Sequence, residues 1–224
     1  MSEPTPTGAR AQLLALARDN RALPIPGRSP DPSARRSAVL VLFGVLDTVP
    51  AATPATPNVA ADLDVLLTRR SPDLTHHPGQ IAFPGGGIDD DDGGPEDAAV
   101  REAVEETGLD PAGVEVLGRL GDLGLPVSDN VVTPVLAWWA TPSPLVPDGT
   151  ETAEVFRVPV ADLVDPGNRR TTAITRGSET WRGPAFEVAD RVVWGFTAMV
   201  LDALLDALGW SEPWDRRREI PVPL

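Results

Sequence analysis

The stretch FPGGGIDDDDGGPEDAAVREAVEETGL, Phe83 to Leu109, decides the fold. From Asp89 to Asp110, one residue past this stretch, the chain holds ten carboxylates and a single Arg. Charges of one sign at this density repel, so they sit most easily on a solvated loop or around bound cations. Gly94-Pro95-Glu96-Asp97 reads as a helix start: Gly as N-cap, Pro at the first helical position, acids facing the positive end of the macrodipole. Gly108 supplies the stop. The predicted helix runs from Pro95 to Thr107. At 100° per residue, Glu102, Glu105 and Glu106 share one face. Ala99, Val100, Ala103, Val104 and Thr107 cover much of the other side and suit packing on a sheet. Arg101 lies beside the acids and is expected to bridge to one of them. Neighbouring like charges on a helix cost a few tenths of a kcal/mol each. Either the face is solvated, or a hard divalent cation such as Mg²⁺ binds its oxygens.

Outward from this helix, Ser37–Leu46 and Leu63–Arg70 read as strands. So do Val114–Gly121, Val131–Ala140 and Ala153–Val160. Ala9–Asn20 and Val192–Leu208 have helical periodicity. The Pro-rich segments at 23–33 and 47–62 read as a linker and a surface loop. The last residues, from Gly209, read as a surface tail. Without regular βαβ alternation this mixture predicts an α+β or mixed α/β domain. The expected division is an N-terminal helix and linker at 1–36, one domain at 37–208 and a tail at 209–224.

Composition narrows the function. The net charge is −14 and the arginines are scattered, which argues against a nucleic-acid partner. Without Lys there is no P-loop lysine and no Schiff-base chemistry. With two adjacent histidines, His76 and His77, and no G-x-S-x-G elbow, a serine hydrolase is disfavoured. Cys is absent, which removes disulfides and thiolate catalysis and is compatible with a cytoplasmic location. No apolar run reaches the roughly 18 to 20 residues needed to span a bilayer, so no membrane partner is expected.

Arg101-Glu-Ala-Val-Glu-Glu-Thr-Gly-Leu109 resembles the second half of the Nudix box, R-E-U-x-E-E-x-G-U with U apolar. In the first half Gly87 is in register, but Gly93 stands where the box has Glu. Upstream, LLTRRSPDLTHHPGQIAFPGG, Leu66 to Gly86, resembles the motif of Nudix hydrolases acting on coenzyme A, with Thr75 in place of one motif Arg. Val132–Trp138, Thr150–Val160 and Val193–Leu201 resemble later segments of that subgroup. The resemblance implies a Nudix α/β/α sandwich around a mixed β-sheet. It also implies Mg²⁺- or Mn²⁺-dependent hydrolysis of coenzyme A to 4′-phosphopantetheine and adenosine 3′,5′-bisphosphate. Thr75 leaves open another small nucleotide diphosphate, such as ADP-ribose or a dinucleotide. A non-catalytic, nucleotide-sensing Nudix domain is a further alternative.

On this resemblance Glu102, Glu105 and Glu106 are the metal ligands, with Glu105 as ligand or base. Arg101 orients a carboxylate, and Glu151 is the candidate acid from a later loop. Arg70 is expected either to pair with a substrate phosphate or to form a salt bridge to the acidic helix. Gly85 and Gly86 let the backbone approach the phosphates and the helix. Trp138 and Trp139 alternate faces of a strand, so one is core and the other, assigned as Trp138, is free to stack on adenine. Asp89 to Asp92 read as an exposed acidic loop, with an extra cation or a metal hydration shell held there as the alternative, and a homodimer remains compatible with all of this.

Overall fold

Arg35–Val45 shows why the central sheet needs two covering layers. Its apolar run is nearly continuous, as expected of a strand buried on both faces. Ala38, Leu40 and Leu42 enter one core, and Val41 and Phe43 enter the other.

The computed structural model describes residues 5–19, 22–25, 33–45, 51–52, 59, 62–125, 130–176 and 179–222. In chain order the elements begin with α1 (Pro6–Arg18), β1 (Arg35–Val45), β2 (Leu63–Arg70), β3 (Ile81–Ala82) and β4 (Gly85–Gly87). Next come α2 (Pro95–Thr107), a 3₁₀ turn (Pro111–Gly113), β5 (Val114–Arg119), β6 (Leu123–Leu125), β7 (Asn130–Trp139), β8 (Thr152–Pro159) and α3 (Val160–Val164). The chain continues with β9 (Arg169–Arg176), β10 (Glu179–Val188), β11 (Arg191–Val193), α4 (Gly195–Ala207) and β12 (Glu219–Pro221). Most of the two Pro-rich segments at 23–33 and 47–62 lies outside the described residues.

The main sheet follows the order β3-β2-β1-β7-β5, with β4 on β1, β6 on β7 and β8 on β2. Strands β1 and β7 are parallel, and the other pairs of this sheet are antiparallel. Helix α2 covers one face through Ala98, Ala99 and Ala103. The opposite face packs on α1, α4 and a second sheet, β11-β10-β9-β12, burying Leu13, Phe186, Val193, Leu201 and Leu204. This is the expected α/β/α arrangement around a mixed sheet.

Three expectations change. The helix read from Val192 begins only at Gly195, because Arg191–Val193 pairs with β10. The second sheet has no counterpart in the sequence reading. Its hairpin strands, RRTTAITR and ETWRGPAFEV, mix Arg, Thr, Gly and Pro with apolar residues and show no clean alternation. The segment after Gly209 is not a surface tail. Trp210 is 1% exposed, meets Phe43 edge-on with ring centroids 6.1 Å apart, and donates its indole N–H to Gln12 Oε1 of α1 at 2.8 Å. Farther on, the Trp214 ring lies 4.9 Å from the fully buried Arg169 guanidinium, which pairs with Asp202 of α4. Strand β12 then joins β9 in parallel. Contacts between residues far apart in sequence thus staple the chain end to the core. No helix among the described residues is long and apolar enough to cross a membrane.

Candidate active site

Helix α2 spans Pro95 to Thr107 as expected, with Gly108 left-handed at φ 67°. Its acids meet three different environments. Glu105 is turned outward, its side chain 59% exposed, and accepts from Arg101 Nη1 at 3.3 Å. Glu102 is half-buried and accepts from the same Nη1 at 3.0 Å. Glu106 is 8% exposed and faces the backbone of β4, where Gly85 N–H donates to its Oε2 at 3.2 Å.

Two glycines make this approach possible. A Cβ on Gly86 would stand 2.5 Å from both carboxylate oxygens of Glu102. One on Gly85, where φ is 156°, would come within 2.6 Å of Val39 Cα and closer still to the Ala38 carbonyl oxygen. The expectation that these glycines admit a close approach therefore applies to the helix: β4 is a ledge of bare backbone against which Glu102 and Glu106 lie.

The electrostatics follow from burial. Burial is the main reason that the Glu106 carboxyl is pushed up from 4.5 to about 8. The Gly85 N–H and the charge of Arg70 act against that rise, and Glu102 and Glu151 reinforce it. Glu102 is raised too, first by burial, against the pull of Arg101. Two carboxyl groups one turn apart, both partly withdrawn from water and only Glu102 paired with an Arg, form a donor set suited to a hard divalent cation. Among the described residues, no three acids or histidines already enclose a metal-sized space. Glu105 instead stays with Arg101.

Arg101 does more than bridge to one carboxylate. Besides Glu102 and Glu105 it donates to the Gly87 carbonyl at 3.0 Å. It also forms two bonds of 3.0 Å to Asp92, one from Nε and one from Nη2. Asp92 is the residue that sequence reasoning missed, since nothing in a run of four aspartates distinguishes the one that folds inward.

Glu151 reaches the neighbourhood of Glu106 closely enough to raise its pKa. Its loop is bound to the end of α2: Val146 N–H donates to the Thr107 carbonyl and Asp148 N–H to the Glu106 carbonyl. The Asp148 carboxylate then accepts from the Glu151 and Thr152 amides at 3.0 and 2.7 Å. On β2, Arg70 lies on the α2 side, within electrostatic reach of Glu106, and its Nε is buried without a hydrogen-bond partner. The salt bridge to the acidic helix expected of it as an alternative does not form. Neighbouring Arg69 pairs with Glu154 at 3.2 Å. Thr75, His76 and His77 are exposed on the β2–β3 connection.

Trp138 is not brought to this site. It is 7% exposed and packs in the core on the face away from α2, in register with Phe43. Trp139 is buried on the α2 side, with Arg157 over its ring. Both indoles fill core layers, because the sheet is covered on both faces.

A family model described as NUDIX domain matches residues 50–176. The chain is 38% identical over 140 residues to "Uncharacterized Nudix hydrolase NudL" of Pectobacterium atrosepticum, covering 62% of this chain and 72% of that protein. It is 36% identical over 145 residues to the protein of the same name from Escherichia coli K12, covering 65% and 75% respectively. Among solved structures, a Nudix hydrolase from M. smegmatis, RenU, shares the fold with a TM-score of 0.51 and 23% identity, over 82% of this chain and 91% of that one. The domain match takes in β2, the glycine ledge, α2 and the Glu151 loop, more than half of the sequence, and the chain belongs to the Nudix family.

Proposed function

We propose that this Nudix hydrolase cleaves the diphosphate of coenzyme A or a derivative, giving 4′-phosphopantetheine or its acyl form and adenosine 3′,5′-bisphosphate. One observation carries the reading: the segment that resembles the coenzyme A motif, Leu66–Gly86, supplies both Arg70 beside Glu106 and the glycine ledge under Glu102. Such a substrate implies a cytoplasmic site of action.

Nudix hydrolases generally use divalent metal ions. Here Glu102 and Glu106 would hold the ion, Mg²⁺ or Mn²⁺, with Glu105 as third ligand or base. When bound, the ion supplies charge neutralisation and Lewis acidity at the diphosphate. The chain's own groups do the rest. Arg70 has a buried, unpartnered Nε and a planar fork that suits a phosphate oxygen. Arg101 ties Glu102, which lies against the ledge, to Glu105 at the exposed edge of the site. Glu151, whose backbone is held by the Asp148 turn, would complete the site near Glu106 as the acid from the later loop.

Turnover of a diphosphate panel with Mg²⁺ or Mn²⁺ tests the substrate. The expected result is a higher kcat/KM for coenzyme A than for ADP-ribose or dinucleotides. Faster turnover of ADP-ribose would overturn the assignment, and exposed Thr75 at the motif Arg position is the feature that favours this second reading. Arg70→Ala is expected to raise KM by roughly 10- to 100-fold, since a hydrogen bond to a charged group is worth about 1.5–3 kcal/mol. It also removes a charge that holds the Glu106 pKa down, so the acidic limb of the kcat profile should move to higher pH. An unchanged KM in steady-state kinetics would remove Arg70 from the substrate site.

A further inference from the structure

The family box has a Glu at the position of Gly93, and this chain has no carboxylate there. We infer that Asp92, one residue earlier, is a positioning residue that acts through Arg101 to aim Glu102 and Glu105. The inference rests on the metal-binding role proposed for those acids.

Asp92 differs from the other three aspartates of its loop. Its side chain is 7% exposed, whereas that of Asp89 is 73% exposed and Asp90 and Asp91 are open to solvent. One oxygen accepts from Arg101 Nε, and the other accepts from Arg101 Nη2 and from Asp89 N–H at 2.8 Å. This is a two-point grip on a planar guanidinium, the geometry that fixes its orientation as well as its distance. With Nε and Nη2 taken, Nη1 is left for Glu102 and Glu105. The bond from Nη2 to the Gly87 carbonyl closes the frame against β4. The pairing holds the Asp92 carboxyl below the usual range, with Arg101 as its main cause.

Without Asp92 the guanidinium loses its anchor and is free to collapse onto Glu102 and Glu105, competing with a cation for them. A group that orients metal ligands from behind typically changes affinity or activity by about 10- to 100-fold when removed. The grip can also be returned by a different route. A Cβ at Gly93 meets only the far end of the Asp97 side chain, which is exposed and able to swing away. A Glu placed there would stand one residue closer to α2 along the chain, with a longer side chain to reach Arg101.

The test is Mn²⁺ affinity, measured by electron paramagnetic resonance on the full chain without substrate, together with kcat, KM and Tm. Wild type, Glu106→Gln, Asp92→Ala and the double variant Asp92→Ala with Gly93→Glu are compared. Asp92→Ala is expected to weaken Mn²⁺ binding and lower kcat by about 10- to 100-fold, with KM little changed. The double variant is expected to recover most of both. Unchanged Mn²⁺ affinity in Asp92→Ala overturns the inference and leaves the metal site standing, provided Glu106→Gln weakens binding. Loss that tracks a fall in Tm and is not recovered by Gly93→Glu also overturns it, by showing a loop-stabilising role alone. Absence of Mn²⁺ binding to wild type overturns the proposed function, and the inference falls with it.

Discussion

Replacing Glu106 by Gln is expected to lower kcat by about three orders of magnitude, equivalent to roughly 4 kcal/mol of transition-state stabilisation, while leaving the fold intact. The amide oxygen can still accept from Gly85 N–H, so the ledge contact survives. What disappears is the charge. The same substitution has a second signature, in stability. In wild type the folded-state pKa of Glu106 is raised to about 8 from 4.5. Between these values the unfolded chain has released the proton and the folded chain has not, so the folded state binds more protons. Stability of the metal-free protein therefore falls as pH rises from 4.5 to about 8 and levels off above that. The full span corresponds to roughly 4–5 kcal/mol at about 1.4 kcal/mol per pH unit. Gln lacks this penalty. In chelator, the variant should melt above wild type at pH 8.5, and the gap should shrink towards pH 5. Added Mg²⁺ should raise the Tm of wild type and not that of the variant. Scanning calorimetry across this range checks all three. A variant that melts below wild type at pH 8.5 would contradict the buried, unbalanced carboxyl.

The paired substitutions Gly85→Ala and Gly86→Ala should separate scaffold from chemistry. At Gly85 a methyl group would run into the Ala38 carbonyl and Val39 Cα, which belong to the central strand β1 and cannot move aside without breaking sheet pairing. A clash of this kind with backbone, at a positive φ, is expected to cost at least 3 kcal/mol and to lower Tm by several degrees. At Gly86 the obstacle is a side chain, the carboxylate of Glu102. The helix can stay in place while Glu102 swings out. Gly86→Ala should therefore change Tm little and lower kcat by about 100-fold, with weaker Mn²⁺ binding. Equal effects of the two variants on Tm would mean that the ledge serves packing only.

The acidic helix was legible to the residue because its signals are local: Gly-Pro at one end, Gly at the other and an alanine-rich inner face. The long strands were legible because both faces of the sheet are covered, which writes them as apolar runs. What escaped depends on contacts distant in sequence. Spacing put Glu102, Glu105 and Glu106 on one face, but only the fold lays β4 over Glu106 and leaves Glu105 in solvent. Arg169 and Asp202 form an ion pair in the core, which a hydropathy reading assigns to the surface. Trp210 and Trp214 fall in a segment that reads as a surface tail because their partners, Phe43 and Arg169, lie far upstream. Trp138 was assigned to the substrate because one of two adjacent strand indoles normally faces outward, and here neither does. Asp92 was hidden among its identical neighbours until its bonds to Arg101 set it apart.

The most direct measurement is diffraction from crystals soaked in Mn²⁺ at pH 8, with data collected to reveal anomalous scattering. The account predicts a peak touching the carboxylate oxygens of Glu102 and Glu106, beside the ledge at Gly85 and Gly86. No peak there, or Mn²⁺ bound only at the exposed Asp89–Asp91 loop, would contradict it.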